Sequence, residues 1–203
     1  MFKERRTIRF FKETKIDRAL LEEIGGYGIY APTHNFGLRA VVADDPEIIG
    51  LADRVIKKFV SKLYNLFFRS KIVANIMRRM PSPLRSEYIK AKSKLDFALT
   101  AGKAFRNRPA AMIFLVGDKR ILLSVESAQY SLYNISLYAQ TRGIGSRNLV
   151  GNQMILNRSM EIRNRLRLCR HERIFGTIGV GYPAVKFRNK VTGRELKIQW
   201  NSG

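Results

Sequence analysis

The chain has 203 residues, 45% of them hydrophobic, a length suited to one sizeable core and short for two large domains. Lys and Arg number 38 against 16 acids, a formal net charge of +22 that points to polyanions or phosphorylated small molecules as partners. The single cysteine, Cys169, excludes an internal disulfide framework and an ordinary four-thiolate iron-sulfur cluster, and two histidines, His34 and His171, argue against a multi-histidine metal site. No run approaches the roughly 18 apolar residues that span a bilayer, and no apolar signal-type stretch follows Met-Phe-Lys-Glu-Arg-Arg, so the expected location is cytoplasmic.

Arg5, Arg6, Thr7 and Arg9 open the chain, followed by Phe10-Phe11. Planar guanidinium forks and a hydroxyl at this density suit a phosphate or another anion. Asp17 ahead of Ala19, Leu20, Leu21 and Ile24 predicts an N-capped helix that ends among Gly25, Gly26 and Gly28. A polar loop, Tyr30-Ala31-Pro32-Thr33-His34-Asn35, then leads to a short β run, Leu38 to Ala43, stopped by Asp44-Asp45-Pro46. From there apolar residues recur at three and four, first Val55 to Phe67 and then Ile72 to Met80, which predicts two amphipathic helices. Their opposite faces are basic, and from Arg54 to Arg85 there are nine basic residues and no acid.

Pro81-Ser82-Pro83 interrupts this pattern, and a helix is expected to resume over 86–105. Ala110 to Gly117 is nearly all apolar, as in a strand buried on both faces. Residues 121–141 read as a helix with Leu122, Val125, Leu132, Ile135 and Ala139 along one side and small or aromatic groups elsewhere, a pattern that fits burial, including burial by a second subunit. Gly143-Ile144-Gly145-Ser146 ends it, Leu149-Val150-Gly151 reads as a short strand, and 155–169 as a helix holding Cys169 as a buried structural thiol. The run Ile174 to Gly181 alternates with glycines, which either admit something close to the backbone or ease packing against a helix. Beyond Tyr182-Pro183 a basic tail ends in an alternating Leu196 to Trp200 that suits an edge strand.

Four stations in this order resemble the nitroreductase family of flavin enzymes: Arg5 to Phe10; Ala31-Pro32-Thr33-His34-Asn35 ahead of a β run; Gly143 to Ser146; and Gly179-Val180-Gly181-Tyr182-Pro183 followed by basic residues. The resemblance implies an α+β fold with a central, mainly antiparallel sheet wrapped by helices. It also implies an intertwined homodimer with one FMN per active site, in a single domain over 1–203 that carries a basic helical insertion at about 46–105. Electrons would arrive from NADH or NADPH and leave to a nitroaromatic, quinone or similar acceptor by ping-pong exchange.

By the same resemblance, Arg5 and Thr7 hold the ribityl chain and phosphate of FMN, Arg6 lies along the flavin, and Arg9 serves the N1 and O2 edge. A cation there would stabilise negative charge on the reduced ring. Pro32, Thr33 and Asn35 match a loop that the partner subunit lends to the ring. Val150 and Gly151 match a turn whose amides approach N5, and Arg188 and Arg194 match the second phosphate-binding base. The flavin carries the chemistry, so no catalytic side chain and no metal is expected. Two departures stand out: the loop from Pro32 to Asn35 is one residue short and continues Phe36-Gly37-Leu38 in place of Gln-Pro-Trp, and Arg147 follows Gly145-Ser146 where a small or aromatic residue is usual. The alternative reading is a catalytically degenerate protein of the same fold that uses its basic surface for weak association with nucleic acid or anionic membrane.

Overall fold

The structure, a computed structural model, describes residues 5–34, 37–100, 107–187 and 197–200. Its centre is an antiparallel sheet of four strands, β1 (Arg39–Ala43), β2 (Ala111–Asp118), β3 (Gly145–Asn148) and β4 (Glu172–Gly181), in the order β1-β2-β4-β3. β2 and β4 are the inner pair, and each is buried on both faces because helices cover both sides of the sheet. Alternation along β2 distributes its side chains. Ile113 and Leu115 join one core with α1 (Arg18–Gly26) and α5 (Ser124–Thr141), where Ile24, Leu132 and Ile135 are almost wholly buried. Met112, Phe114 and Val116 join the other with α2 (Pro46–Phe67), α6 (Asn152–Leu156) and α7 (Met160–Arg165), through Ile49, Ile56, Leu156 and Ile162. Each such side chain contributes about 1.5–3 kcal/mol by leaving water.

Local signals place most of these elements. The Asp17 carboxylate accepts from the Ala19 and Leu20 amides at 2.9 and 3.4 Å and so caps α1, and Asp45 caps α2 from Glu47 N–H at 2.8 Å ahead of Pro46. Next come α3 (Lys71–Arg79), capped by Ser70, and α4 (Ser82–Thr100). No described helix is long and apolar enough to cross a membrane.

The structure differs from the sequence expectations in six places. α4 begins at Ser82, because Pro83 falls in a first turn whose amides have no helical acceptor and proline is tolerated there. α5 begins at Ser124, since Leu123 has φ +58°; Leu122 and Val125 are exposed, and the buried face is Ala128, Leu132, Ile135 and Ala139. The short strand is Gly145–Asn148, and Leu149 to Gly151 form the turn after it. The helix expected over 155–169 is split into α6 and α7: the Asn157 side chain, at the end of α6, pairs with the Ile174 backbone in both directions, at 2.8 and 2.9 Å, and Ser159 starts a new cap. Cys169 is exposed, not buried, because α7 ends at Arg165 and the chain has turned outward by then. In the tail, residues 197–200 form no strand, and Ile198 and Trp200 are exposed.

Glu172, at the start of β4, ties the far edge of the sheet together. Its carboxylate accepts from Arg39 at 2.8 and 3.0 Å and from the Cys169 amide at 2.8 Å. The Arg39 hydrogen bond, followed by the Cys169 amide and the Arg39 charge, holds its carboxyl down from an ordinary 4.5 to about 2 against the opposing effect of burial. A carboxyl depressed on folding contributes stability that is complete above its unfolded pKa and is lost as pH falls through 4.5 toward 2. The melting temperature of the wild type is therefore expected to fall over that window more steeply than that of Glu172→Gln, which lacks the titrating group; parallel curves would remove Glu172 from the account.

Candidate functional site

The N-terminal strap, residues 5–12, is sewn to two other parts of the chain. Thr7 bridges Ser146 in parallel, with the Ile8 amide donating to the Ser146 carbonyl at 2.9 Å. Phe11 bridges Pro183 in the antiparallel sense, the Lys12 amide donating to the Tyr182 carbonyl at 2.8 Å and the Ala184 amide to the Phe10 carbonyl at 2.9 Å. Asn107 adds a side-chain donor to the Phe11 carbonyl at 3.1 Å. The first, third and fourth stations of the sequence are thereby brought to one end of the sheet.

Two glycines make that contact sterically feasible. Gly145 and Gly181 are cross-strand partners on β3 and β4. A Cβ on Gly145 would stand 2.6 Å from Ile8 Cγ1, and one on Gly181 2.7 Å from Phe11 Cδ1, distances at which something must shift. Ile8 and Phe11 are the buried anchors of the strap, and they sit where those Cβ atoms would be. Gly176 has a different role: its missing Cβ makes room for Leu132 and Ala128 of α5. Both sequence readings of the glycine run are thus realised, at different glycines.

With Ile8 and Phe11 buried, Arg9 is exposed, while Arg5, Arg6 and Thr7 are half-buried. The Arg5 guanidinium lies 6.0 Å from the Tyr133 ring centre on α5, and that of Arg6 lies 5.6 Å from the ring of Phe187 in the basic tail. Arg147, half-buried on β3, is held below the usual arginine range by burial first and then by the charge of Arg9. Two guanidiniums that repel each other at a partly desolvated edge favour an anion, or the electron-rich edge of a bound ring, beside them. From Arg5 to Phe11 the strap itself carries no acid.

Directly after β3, the Leu149 amide donates to the Thr177 carbonyl at 2.9 Å and Leu149 is buried, which leaves Val150 74% exposed. Gly151 then turns the chain at φ +89°, where an added Cβ would meet nothing within 4 Å, so glycine is required there by conformation and not by space. The turn and the strap flank the same short strand.

Pro32 and Thr33 lie elsewhere. Their loop is held to α5 by the His34 amide, which donates to Ser127 Oγ at 3.2 Å, and Thr33 lines a cavity of about 210 Å³ with Gly25, Gly28, Leu115 and Ser131. Thr33 Oγ1 is buried there without a hydrogen-bond partner. Leu115 pairs with Gly176, five residues down β4 from Gly181, or roughly 17 Å of strand. Within one chain, therefore, this loop and the strap sit toward opposite ends of the sheet. Asn35, Arg188 and Arg194 lie outside the described residues. The sequence reading missed Ile8, Phe11 and Asn107; the glycines facing the first two were visible, but nothing local identified what fills them.

The fold and this strapped edge define an α+β protein with a cationic site at one end of an antiparallel sheet. The nitroreductase family model matches residues 2–182, and the chain belongs to the nitroreductase family. No curated protein matches the sequence. Among solved structures, a nitroreductase with bound FMN from Desulfitobacterium hafniense DCB-2 is similar over 98% of this chain and 96% of its own, with 15% identity and a TM-score of 0.71. A putative NADH dehydrogenase/NAD(P)H nitroreductase from Bacteroides thetaiotaomicron VPI-5482 is similar over 98% and 94%, at 17% identity and a TM-score of 0.61. An oxidized iodotyrosine deiodinase bound to FMN and 3-iodo-L-tyrosine is similar over 99% and 97%, at 18% identity and a TM-score of 0.64. At these identities the likeness is one of fold.

Proposed function

We propose that this chain is an FMN-dependent oxidoreductase that takes hydride from NADH or NADPH and reduces a nitroaromatic, quinone or similar acceptor by a ping-pong mechanism. The observation that carries the reading is the strap. It seats Thr7 against Ser146 of β3, the strand that the turn at Val150 and Gly151 follows, with Arg9 in electrostatic reach of Arg147 and Arg5 beside Tyr133. The FMN in the solved structures of similar fold and the NAD(P)H named for one of them support it.

When bound, FMN supplies the redox chemistry, accepting a hydride from the nicotinamide and passing two electrons to the acceptor. The chain's own residues bind and bias it. Arg5 and the Thr7 hydroxyl would offer charge-assisted and neutral donors to the phosphate and ribityl chain, and Arg9 with Arg147 would supply positive charge to stabilise the reduced ring. Arg188 and Arg194 would complete the phosphate clamp from the tail, whose start already touches the strap through Arg6 and Phe187. Pro32, Thr33 and Asn35 would serve the partner's ring in a homodimer, which accounts for the distance of Pro32 and Thr33 from the strap in one chain. The exposed apolar face of α5, with Val125, Tyr130 and Tyr133 50, 56 and 43% exposed, is the surface we assign to that dimer.

The purified protein is expected to be yellow or to take up added FMN, and its flavin to bleach on anaerobic mixing with NADH or NADPH in a stopped-flow instrument. A colourless protein that also fails to bind FMN would replace this reading with the flavin-free one. Sedimentation at micromolar concentration is expected to give a dimer; a flavin-bound monomer would contradict the shared site.

A further inference from the structure

We propose that the helical excursion formed by the outer half of α2 with α3 and α4 is a docking surface for a bilayer with anionic headgroups, a function separate from the flavin site. The last buried residue of α2 is Ile56, and from 57 to 100 no residue whose side chain is described is buried. The excursion is nonetheless built as a unit. Tyr64 stacks on Phe68 with ring centres 5.5 Å apart, and Phe68 stacks on Tyr88 of α4 at 4.8 Å.

Its surface combines two properties that seldom coincide on a water-facing element. Leu66 and Phe67 at the end of α2 are 66 and 44% exposed, Ile72 and Ile76, one turn apart on α3, are 73 and 51% exposed, and Leu84 and Ile89 on α4 are both 56% exposed. Interleaved with them are the nine cations from Arg54 to Arg85, a run that contains no acid and is followed on α4 by Glu87 and Asp96. Apolar side chains exposed to this extent on neighbouring helices call for a cover, and the cations determine its sign. A second copy of this chain meeting this face with the same face would set the same nine cations against them, unlike the homodimer assigned to α5. A nucleic acid duplex satisfies lysines and arginines but offers aliphatic side chains little to bury against. An anionic bilayer surface satisfies both, taking the apolar side chains into the headgroup boundary while the lysine and arginine stems reach the lipid phosphates.

The test is co-sedimentation of the full-length protein with vesicles of phosphatidylcholine alone and of phosphatidylcholine mixed with phosphatidylglycerol. The protein is expected to pellet with the mixed vesicles and to remain in solution with the neutral ones. The double substitution Ile72→Asp with Ile76→Asp is expected to weaken binding to the mixed vesicles at least about tenfold, and Lys58→Glu with Lys62→Glu to weaken it comparably, with circular dichroism and flavin content as in the wild type. Leu66→Asp, on a different helix, gives the same reading should the α3 variant lose structure. Absence of binding to the mixed vesicles would overturn the proposal, as would binding that the isoleucine and Leu66 variants leave intact. Two further results would also overturn it: tighter binding to a DNA duplex than to the vesicles at the same salt, and self-association of the wild type that the isoleucine variants abolish.

Discussion

Gly145→Val is expected to lower the melting temperature by about 2–12 °C and to weaken FMN binding by about tenfold or more. The first effect follows from overpacking, which costs about 1–3 kcal/mol in a well-filled core, where each kcal/mol moves the melting point of a domain this size by about 2–4 °C. An added Cβ would lie 2.6 Å from Ile8 Cγ1 and 3.0 Å from its Cβ, so the whole residue must move and not merely its tip. The second effect follows from connectivity. Arg9 is the next residue, Thr7 the preceding one, and the Ile8 amide that donates to Ser146 is the stitch that orders both. Adding Ile8→Ala to the valine variant restores space at that point and should recover part of both losses, giving a coupling that distant sites would not show. Gly26→Ala, where a Cβ meets nothing within 4 Å, serves as the control. FMN titration and thermal melts check all four proteins. A valine variant that binds flavin like the wild type would dissociate the strap from the site.

The second expectation isolates charge from scaffold. Arg5→Ala removes a half-buried guanidinium beside Tyr133 but leaves Ile8, Phe11 and the four strap hydrogen bonds in place. Stability without flavin should change by no more than about 0.5 kcal/mol, as for a residue outside the core. Affinity for FMN should fall by about 1.5–3 kcal/mol, roughly 10- to 150-fold, the worth of a charge-assisted contact. Arg5→Lys keeps the charge without the fork and should fall between the two. Equal affinity in wild type and alanine variant by fluorescence titration would refute the assignment of Arg5 to the phosphate and ribityl chain.

These two experiments separate what holds the site from what fills it. They also show why the strap needs both kinds of residue in so short a stretch. Buried Ile8 and Phe11 set its position, and the arginines and threonine around them supply the donors.

Much of this was readable along the chain. Asp17 and Asp45 announced their helices because a cap is a local hydrogen bond, and Ala111–Asp118 announced a strand covered on both faces because it is apolar at nearly every position. The arginine cluster and the glycine spacing were equally visible. The sequence also presented Arg147 as a departure, though not that it would share an edge with Arg9.

What only the tertiary structure decided is which distant parts meet. A periodic pattern reports that a face is apolar; it does not report what covers the face, and so Leu122, Val125 and Cys169 were expected inside and stand outside. Glycine spacing states that something comes close to the backbone, but Ile8 over Gly145, Phe11 over Gly181 and Leu132 over Gly176 are pairings between segments far apart in the chain. By itself the sequence determined the elements and the chemistry carried on the strap, because caps, periodicity and charge act over a few residues. The location of that chemistry was decided by packing: two missing Cβ atoms, on paired strands, receive the two buried side chains of the strap and no others.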